Sequence, residues 1–225
     1  VREELDKKAP RIMAVLDPLK VIIKNFPGNT SEQLNAPNHP KDSTFGERKL
    51  PITKEIYIER SDFMEEPPKK FHRLSPGKKV RLRYAFVIRC EEIVKDENGT
   101  VQELHCSYDS STYNGKNPED GKVKGIIHWV SAEKNIPIQA RLFDRLFTVP
   151  NPNGEEDFRK FLNPKSLEIK NHGLAEISLK SSKHSQFQFE RTGYFSLDKK
   201  ESTNDKLVYN RTTTLRDSWL KEQKK

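Results

Sequence analysis

Apolar residues in this chain recur at every second position or in short runs, and beyond residues 1–8 no stretch sustains the 3.6-residue period of an amphipathic helix. Residues 1–8 are helix-like: Glu3 with Lys7 and Glu4 with Lys8 stand at the favourable four-residue spacing, and Pro10 stops the run. The clearest strand pattern is 81–94, with Leu82, Tyr84, Phe86, Ile88 and Cys90 on one face and Arg81, Arg83 and Arg89 on the other. A turn at 96–99 and a returning strand at 101–108 complete a β-hairpin that brings Cys90 opposite Cys106. Further strands are predicted at 21–26, 55–59, 125–130, 141–149, 166–169, 187–190 and 208–215. They are separated by turn-rich spacers at 27–40, 114–121 and 150–154. The fold class is all-β with a short N-terminal helix.

Length then sets the scale, since 225 residues suffice for one large β domain or two small ones. No run approaches the roughly 20 apolar residues of a bilayer span, and mean hydropathy is −0.88, so no membrane role is expected. Two cysteines without metal-type spacing and the lack of a secretory leader point to a reducing, cytoplasmic setting. The opening on Val1 reads as a fragment, and the Lys-rich end at 220–225 as a frayed tail.

Charge narrows the partner. Lys and Arg number 41 against 33 Asp and Glu, a formal +8 that favours a polyanion. The bias concentrates in 69–90, which holds eight Lys or Arg residues, His72, three aromatic rings and no acid. A one-signed face carrying arginine suits RNA, because the guanidinium fork pairs with phosphate or a guanine edge and stacks on bases. Single-stranded RNA fits best, since loop bases can be splayed into side-chain pockets on a β surface. No Gly-rich phosphate loop, metal-spaced His or Cys group or nucleophile elbow occurs, so no catalytic site and no cofactor is expected here.

Six blocks carry a specific resemblance: RIMAVLDP at 11–18, VRLR at 80–83, KVKGIIHWV at 122–130, RLFDRLF at 141–147, QFQFERTGYF at 186–195 and NRTTTLRDSW at 210–219. In this order and spacing, across essentially the whole chain, they resemble class I glutaminyl-tRNA synthetases. The resemblance implies two β-barrels in the anticodon-binding region. The proximal barrel, 10–66 with 140–219, would be interrupted by a distal one at 67–139, after the end of an interdomain helix at 1–9. It implies binding of the tRNA(Gln) anticodon stem-loop by a monomer, with ATP and Mg held by the enzyme's own N-terminal catalytic domain, outside this sequence. The same architecture in archaeal and eukaryotic-type glutamyl-tRNA synthetases, and a non-specific RNA-binding barrel, are the alternatives.

The resemblance also implies base-reading roles. Arg11, Gln188 and Arg191 would hold the middle uracil, whose edge an amide can complement as donor and acceptor together. Arg73 would read the third base, a guanine, with His72 beside it where the bacterial pattern has lysine. Arg81 would grip the first base and its phosphate, with Arg83 along the same face. Lys70 and Lys41 stand where neutral amides are expected and would reach phosphate; Arg216 and Ser218 would lie near the anticodon. Strict alternation sends Gln188 and Arg191 to opposite faces of one strand, so a shared pocket requires a bulge or turn at 191–193, with Gly193 taking positive φ.

Overall fold

The computed structural model describes residues 1–28, 30–152 and 157–216. The opening helix, α1 (Arg2–Lys8), closes the Glu4–Lys8 pair across one turn. Ala9 turns the chain to extended backbone, and Leu5 and Ala9 bury against Tyr194.

The strands follow in chain order as β1 (Arg11–Ile12), β2 (Ala14–Val15), β3 (Pro18–Ile23), β4 (Glu32–Pro37), β5 (Glu47–Ile52), β6 (Glu55–Glu59), β7 (Lys79–Leu82) and β8 (Val87–Lys95). After them come β9 (Val101–Asp109), β10 (Ile126–Ile127), β11 (Trp129–Ser131), β12 (Asn135–Phe143), β13 (Leu167–Glu176), β14 (Gln186–Phe189), β15 (Gly193–Leu197) and β16 (Leu207–Thr213). They form two seven-stranded sheets, ordered β10-β7-β8-β9-β3-β6-β11 and β1-β14-β15-β16-β12-β13-β2, and a ribbon of β4 and β5.

In each large sheet the two edge strands are consecutive in sequence. β10 and β11 flank His128 at opposite edges of the first sheet, and β1 and β2 flank Met13 at opposite edges of the second. One short segment thus reaches both edges and draws each sheet into a nearly closed barrel, which removes most of the exposed strand edge. The seam residues are buried on both sides: every residue from 9 to 16 is, with Ile12 and Ala14 in the second core and Met13 in the first. The first core centres on Leu19, Ile58, Phe86, Ile88, Leu104 and Trp129, and the second on Ile138, Phe187, Phe189, Phe195 and Tyr209.

An all-β fold of two barrels with a short helix is therefore what the chain adopts, and the second barrel is indeed discontinuous. The boundaries differ from the sequence reading. β3 and β6 belong to the sheet of residues 79–131 rather than to that of 135–213, because β3 is wedged between β6 and β9, the latter in parallel with Val21 opposite Leu104. Parallel pairing across some eighty residues leaves no local trace in the sequence. The first barrel thus runs over 18–131, and the second joins 11–15 to 135–213.

The predicted strand at 81–94 is two strands. The chain reverses at 83–86, Tyr84 adopts φ 63°, and β7 pairs back on β8 with Val80 opposite Ile88. The hairpin of β8 and β9 stands as expected, with Cys90 opposite Cys106 as buried free thiols. The spacer at 27–40 contains β4, whose pattern was hidden by Pro37 and by polar residues along an exposed ribbon.

Candidate nucleic-acid interface

β1 lies parallel to β14 with Arg11 opposite Gln188, so the seam of the second barrel sets one cluster. Arg11 is 4% exposed. Its guanidinium donates to the Asp6 carboxylate at 2.5 Å and to the carbonyls of Asp6 and Ala9 at 3.0 and 2.6 Å. Gln188 donates through Nε2 to the Tyr194 hydroxyl at 2.8 Å, and that hydroxyl donates to Asp6 at 3.1 Å. Lys41 reaches the same carboxylate at 3.4 Å, and the His39 ring meets the Asp6 carbonyl at 2.7 Å. Burial alone would push the Asp6 carboxyl upward, but the Tyr194 hydroxyl, Arg11 and Lys41 together hold it below the usual aspartate value. Arg11, Lys41 and Gln188 are thus brought together. Arg11 is largely a prop, with both Nη1 donors and one Nη2 donor on Asp6 and Ala9, while the Gln188 amide keeps its oxygen as a spare acceptor.

The turn from β14 to β15 takes Arg191 elsewhere. A turn occurs there as expected, but Arg191 itself carries the positive φ, 66°. Gly193 is needed for a different reason: a Cβ there would lie 2.9 Å from the Thr213 carbonyl oxygen. Arg191 chelates Asp62 through both terminal nitrogens at 2.5 and 2.7 Å and donates to His128 Nδ1 at 2.9 Å. Arg73 approaches the same Asp62 carboxylate at 3.3 Å and stacks on Phe71. Arg191 therefore joins Arg73 on Asp62, whereas Arg11 and Gln188 are gathered around Asp6 and Tyr194, so the three residues expected at the middle uracil rest on two different carboxylates.

Next to Arg191 in sequence, Glu190 is 2% exposed and enters a buried ionic network. It accepts from Arg48 at 3.2 Å and from the Tyr84 hydroxyl at 2.7 Å, and it pairs with Arg83. Arg48 also binds Glu176 at 2.5 Å, and both guanidinium groups lie over the Tyr84 ring, at 5.6 and 5.0 Å. Burial pushes the Tyr84 hydroxyl upward, and the Glu190 charge adds to it. Two consecutive residues of one turn, Glu190 and Arg191, thereby fasten the second barrel to the first.

The positively charged stretch found in the sequence lines a cleft of about 610 Å³ between residues 67–79 and 120–125. Lys69, His72, Arg73, Lys78, Lys122 and Lys124 face it, and Asp120 there is paired with Lys79. The cleft depends on Gly125, where a Cβ would stand 1.9 Å from the His72 carbonyl oxygen. Lys70 is exposed on the same segment.

The single basic strand face does not survive the reversal at 83–86. Arg81 is 9% exposed and donates inward, to the carbonyl of Thr112 at 2.8 Å and to that of Lys116. Desolvation lowers its guanidinium pKa, and its role here is to hold the 110–116 turn. Arg83 is spent on Glu190. Arg216 is exposed, and Ser218 lies outside the described residues.

Residues that sequence reasoning missed are Asp6, Asp62, His128 and Tyr194. His128 and Tyr194 lay in distinctive blocks without being singled out, and nothing in the local pattern marks Asp62 as a buried acid. Among the described residues there is no cluster of His, Cys, Asp or Glu able to hold a metal ion, and no helix long and apolar enough to cross a membrane.

Comparison with known proteins agrees with this geometry. The family described as tRNA synthetases class I (E and Q), anti-codon binding domain, matches residues 9–109, and its second part matches residues 126–198. A glutamine–tRNA ligase of Vibrio campbellii is 53% identical over 223 residues, covering 98% of this chain. Those of Photobacterium profundum and Salmonella newport are 53% and 52% identical over the same length. The chain spans 40% of the length of each of these relatives. With both parts of the family matched across most of its length, the chain belongs to the anticodon-binding domains of the class I tRNA synthetases for glutamate and glutamine.

Proposed function

We propose that this chain reads the anticodon loop of tRNA(Gln) within a monomeric, cytoplasmic glutamine–tRNA ligase. The observation that carries the reading is the Gln188 amide, fixed by Tyr194 beside the cationic Arg11 and Lys41, with its oxygen free to accept from a uracil edge. Arg73 and the cleft of Lys69, His72, Lys122 and Lys124 supply cationic contacts for the neighbouring base and phosphates. Ligation of glutamine with ATP and Mg would take place outside residues 1–225, in the parent enzyme's catalytic domain. Phe143, Leu146, Phe158, Leu162, Leu167 and Ile169, 43–58% exposed around the β12–β13 connection, give an apolar surface on which such a domain could dock. By this reading the second barrel is the proximal one.

The family description covers glutamate as well as glutamine, so the glutamate enzyme is the second reading; the three relatives above favour glutamine. The test is binding of the full-length protein to a glutamine anticodon stem-loop and to a copy with the middle uracil replaced. We expect the replacement to cost about 1–3 kcal/mol, and Gln188→Ala to shrink that difference. Equal binding to both loops, with a salt slope of about −0.7 per neutralised phosphate, would leave only a non-specific RNA-binding barrel.

A further inference from the structure

Asp62 closes the turn Arg60–Asp62 that follows β6, and its carboxylate is only 2% exposed. It is nevertheless gripped by two arginines from different barrels: Arg191 in a two-pronged contact at 2.5 and 2.7 Å, and Arg73 at 3.3 Å. The arginine side chains themselves remain 26% and 43% exposed. The acid is therefore out of reach of RNA, while the groups it holds are not.

The backbone around the acid is zipped in place. Leu74 donates to the Asp62 carbonyl at 3.0 Å, Arg73 donates to the Ser61 carbonyl at 2.9 Å, and Phe63 bridges Leu74. Arg191 is further aimed by His128, which is 2% exposed. An arginine can only donate, so the Nδ1 atom of His128 facing it must be the acceptor, which puts the ring proton on Nε2, 3.7 Å from Glu59. Two guanidinium groups on one carboxylate leave a net positive charge, so the cluster stays attractive to phosphate and to base acceptors.

We propose that Asp62 is a positioning residue that couples the reading of two adjacent anticodon bases, by fixing Arg73 and Arg191 relative to each other. This rests on the anticodon reading above, with Arg73 at the third base and Arg191 joining Gln188 at the middle one, as the family resemblance implies. Asp62 belongs to one barrel and Arg191 to the other, so it also ties the spacing of the two base contacts to the docking of the barrels. Because both arginines share one carboxylate, movement of either changes the hold on the other, and recognition of the two bases becomes non-additive.

The test measures binding of the full-length protein to four anticodon stem-loops: cognate, middle base changed, third base changed, and both changed. The wild type should discriminate at both positions, with the double change departing from the product of the single ones by several-fold. Asp62→Asn should cut discrimination at both positions about tenfold and bring the double change back to additivity. Arg191→Lys offers a second route if Asp62→Asn does not fold. It should alter discrimination at the third base as well as at the middle one, since Asp62 is then free to draw Arg73 inward. Uniform weakening of all four loops by Asp62→Asn, unchanged discrimination, or an Arg191→Lys effect confined to the middle base would each overturn the proposal. A wild type that fails to discriminate at all would instead overturn the anticodon reading itself.

Discussion

Arg48 of β5 and Glu190 of the β14–β15 turn meet at 3.2 Å with 4% and 2% of their side chains exposed, and Glu176 completes the group. One guanidinium thus bridges two carboxylates taken out of water, and Arg83 brings the second positive charge to Glu190. Such a group adds little net stability against an apolar substitute of the whole set, but it is costly to leave half-made. Arg48→Met should cost about 3–5 kcal/mol in urea unfolding, because buried Glu176 loses its counter-charge and Glu190 is left with Arg83 alone. Burial pushes the Glu176 carboxyl upward, opposed now by Arg48, Ser178 and the Met13 N–H. With Arg48 gone its folded value rises further above the unfolded one. The variant should therefore be least impaired in acid and lose stability as pH climbs through that raised value. A deficit that does not change with pH would count against this account.

Tyr194→Phe deletes the hydroxyl that bridges Gln188 to Asp6. The loss should be about 1 kcal/mol in binding to loops with a middle uracil and near zero to loops without one. An equal loss on both kinds of loop, measured by fluorescence anisotropy, would reduce Tyr194 to a structural role.

Gly125→Ala adds a Cβ that would sit 1.9 Å from the His72 carbonyl oxygen, inside backbone rather than beside a movable side chain. The 67–73 segment must shift, with an overpacking cost of about 1–3 kcal/mol. Binding to any anticodon loop should weaken along with thermal stability, and a fully stable variant with unchanged binding would show that the cleft tolerates the shift.

His105 stands between Glu92 and Glu103, with each ring nitrogen 2.7 Å from a carboxylate oxygen. The bond to Glu92, with Glu103 behind it, raises the His105 pKa above its ordinary 6.5 against a smaller effect of burial. The imidazolium therefore stabilises the fold fully below 6.5, and the benefit fades as pH rises through the folded value. Unfolding of wild type and His105→Gln should differ most near pH 6 and converge in alkaline buffer. Titration of the ring by NMR gives the midpoint directly.

Local pattern was enough for the all-β class, the β8–β9 hairpin and the opening helix, because alternation, turn residues and helix stops act over a few residues. It missed β4, β5 and β15, and it put the β12 strand at 141–149 instead of 135–143. The same locality explains the error at 81–94. Alternation continued through Tyr84, and only the pairing of Val80 with Ile88 makes that position a reversal. The blocks at 11–18 and 122–130, which carried much of the family resemblance, prove to be the two seams that close the barrels.

What the sequence determined by itself was an all-β, basic chain with the family's anticodon-binding signature, since composition, period and motif order are properties of the chain read linearly. It also named Gln188, Arg73, Arg191, His72, Lys70 and Lys41 as candidates, while the lysines that line the cleft on 122–124 were not singled out. Tertiary structure alone decided which of the named arginines face solvent. Arg11 and Arg81 turn inward to carbonyl and carboxylate oxygens, whereas Arg73 and Arg191 stay half out on Asp62. The reason is that an arginine's fate depends on which acceptors the fold brings near it. Those acceptors, Asp6, Thr112 and Asp62, arrive through turns and barrel contacts that no local sequence period encodes.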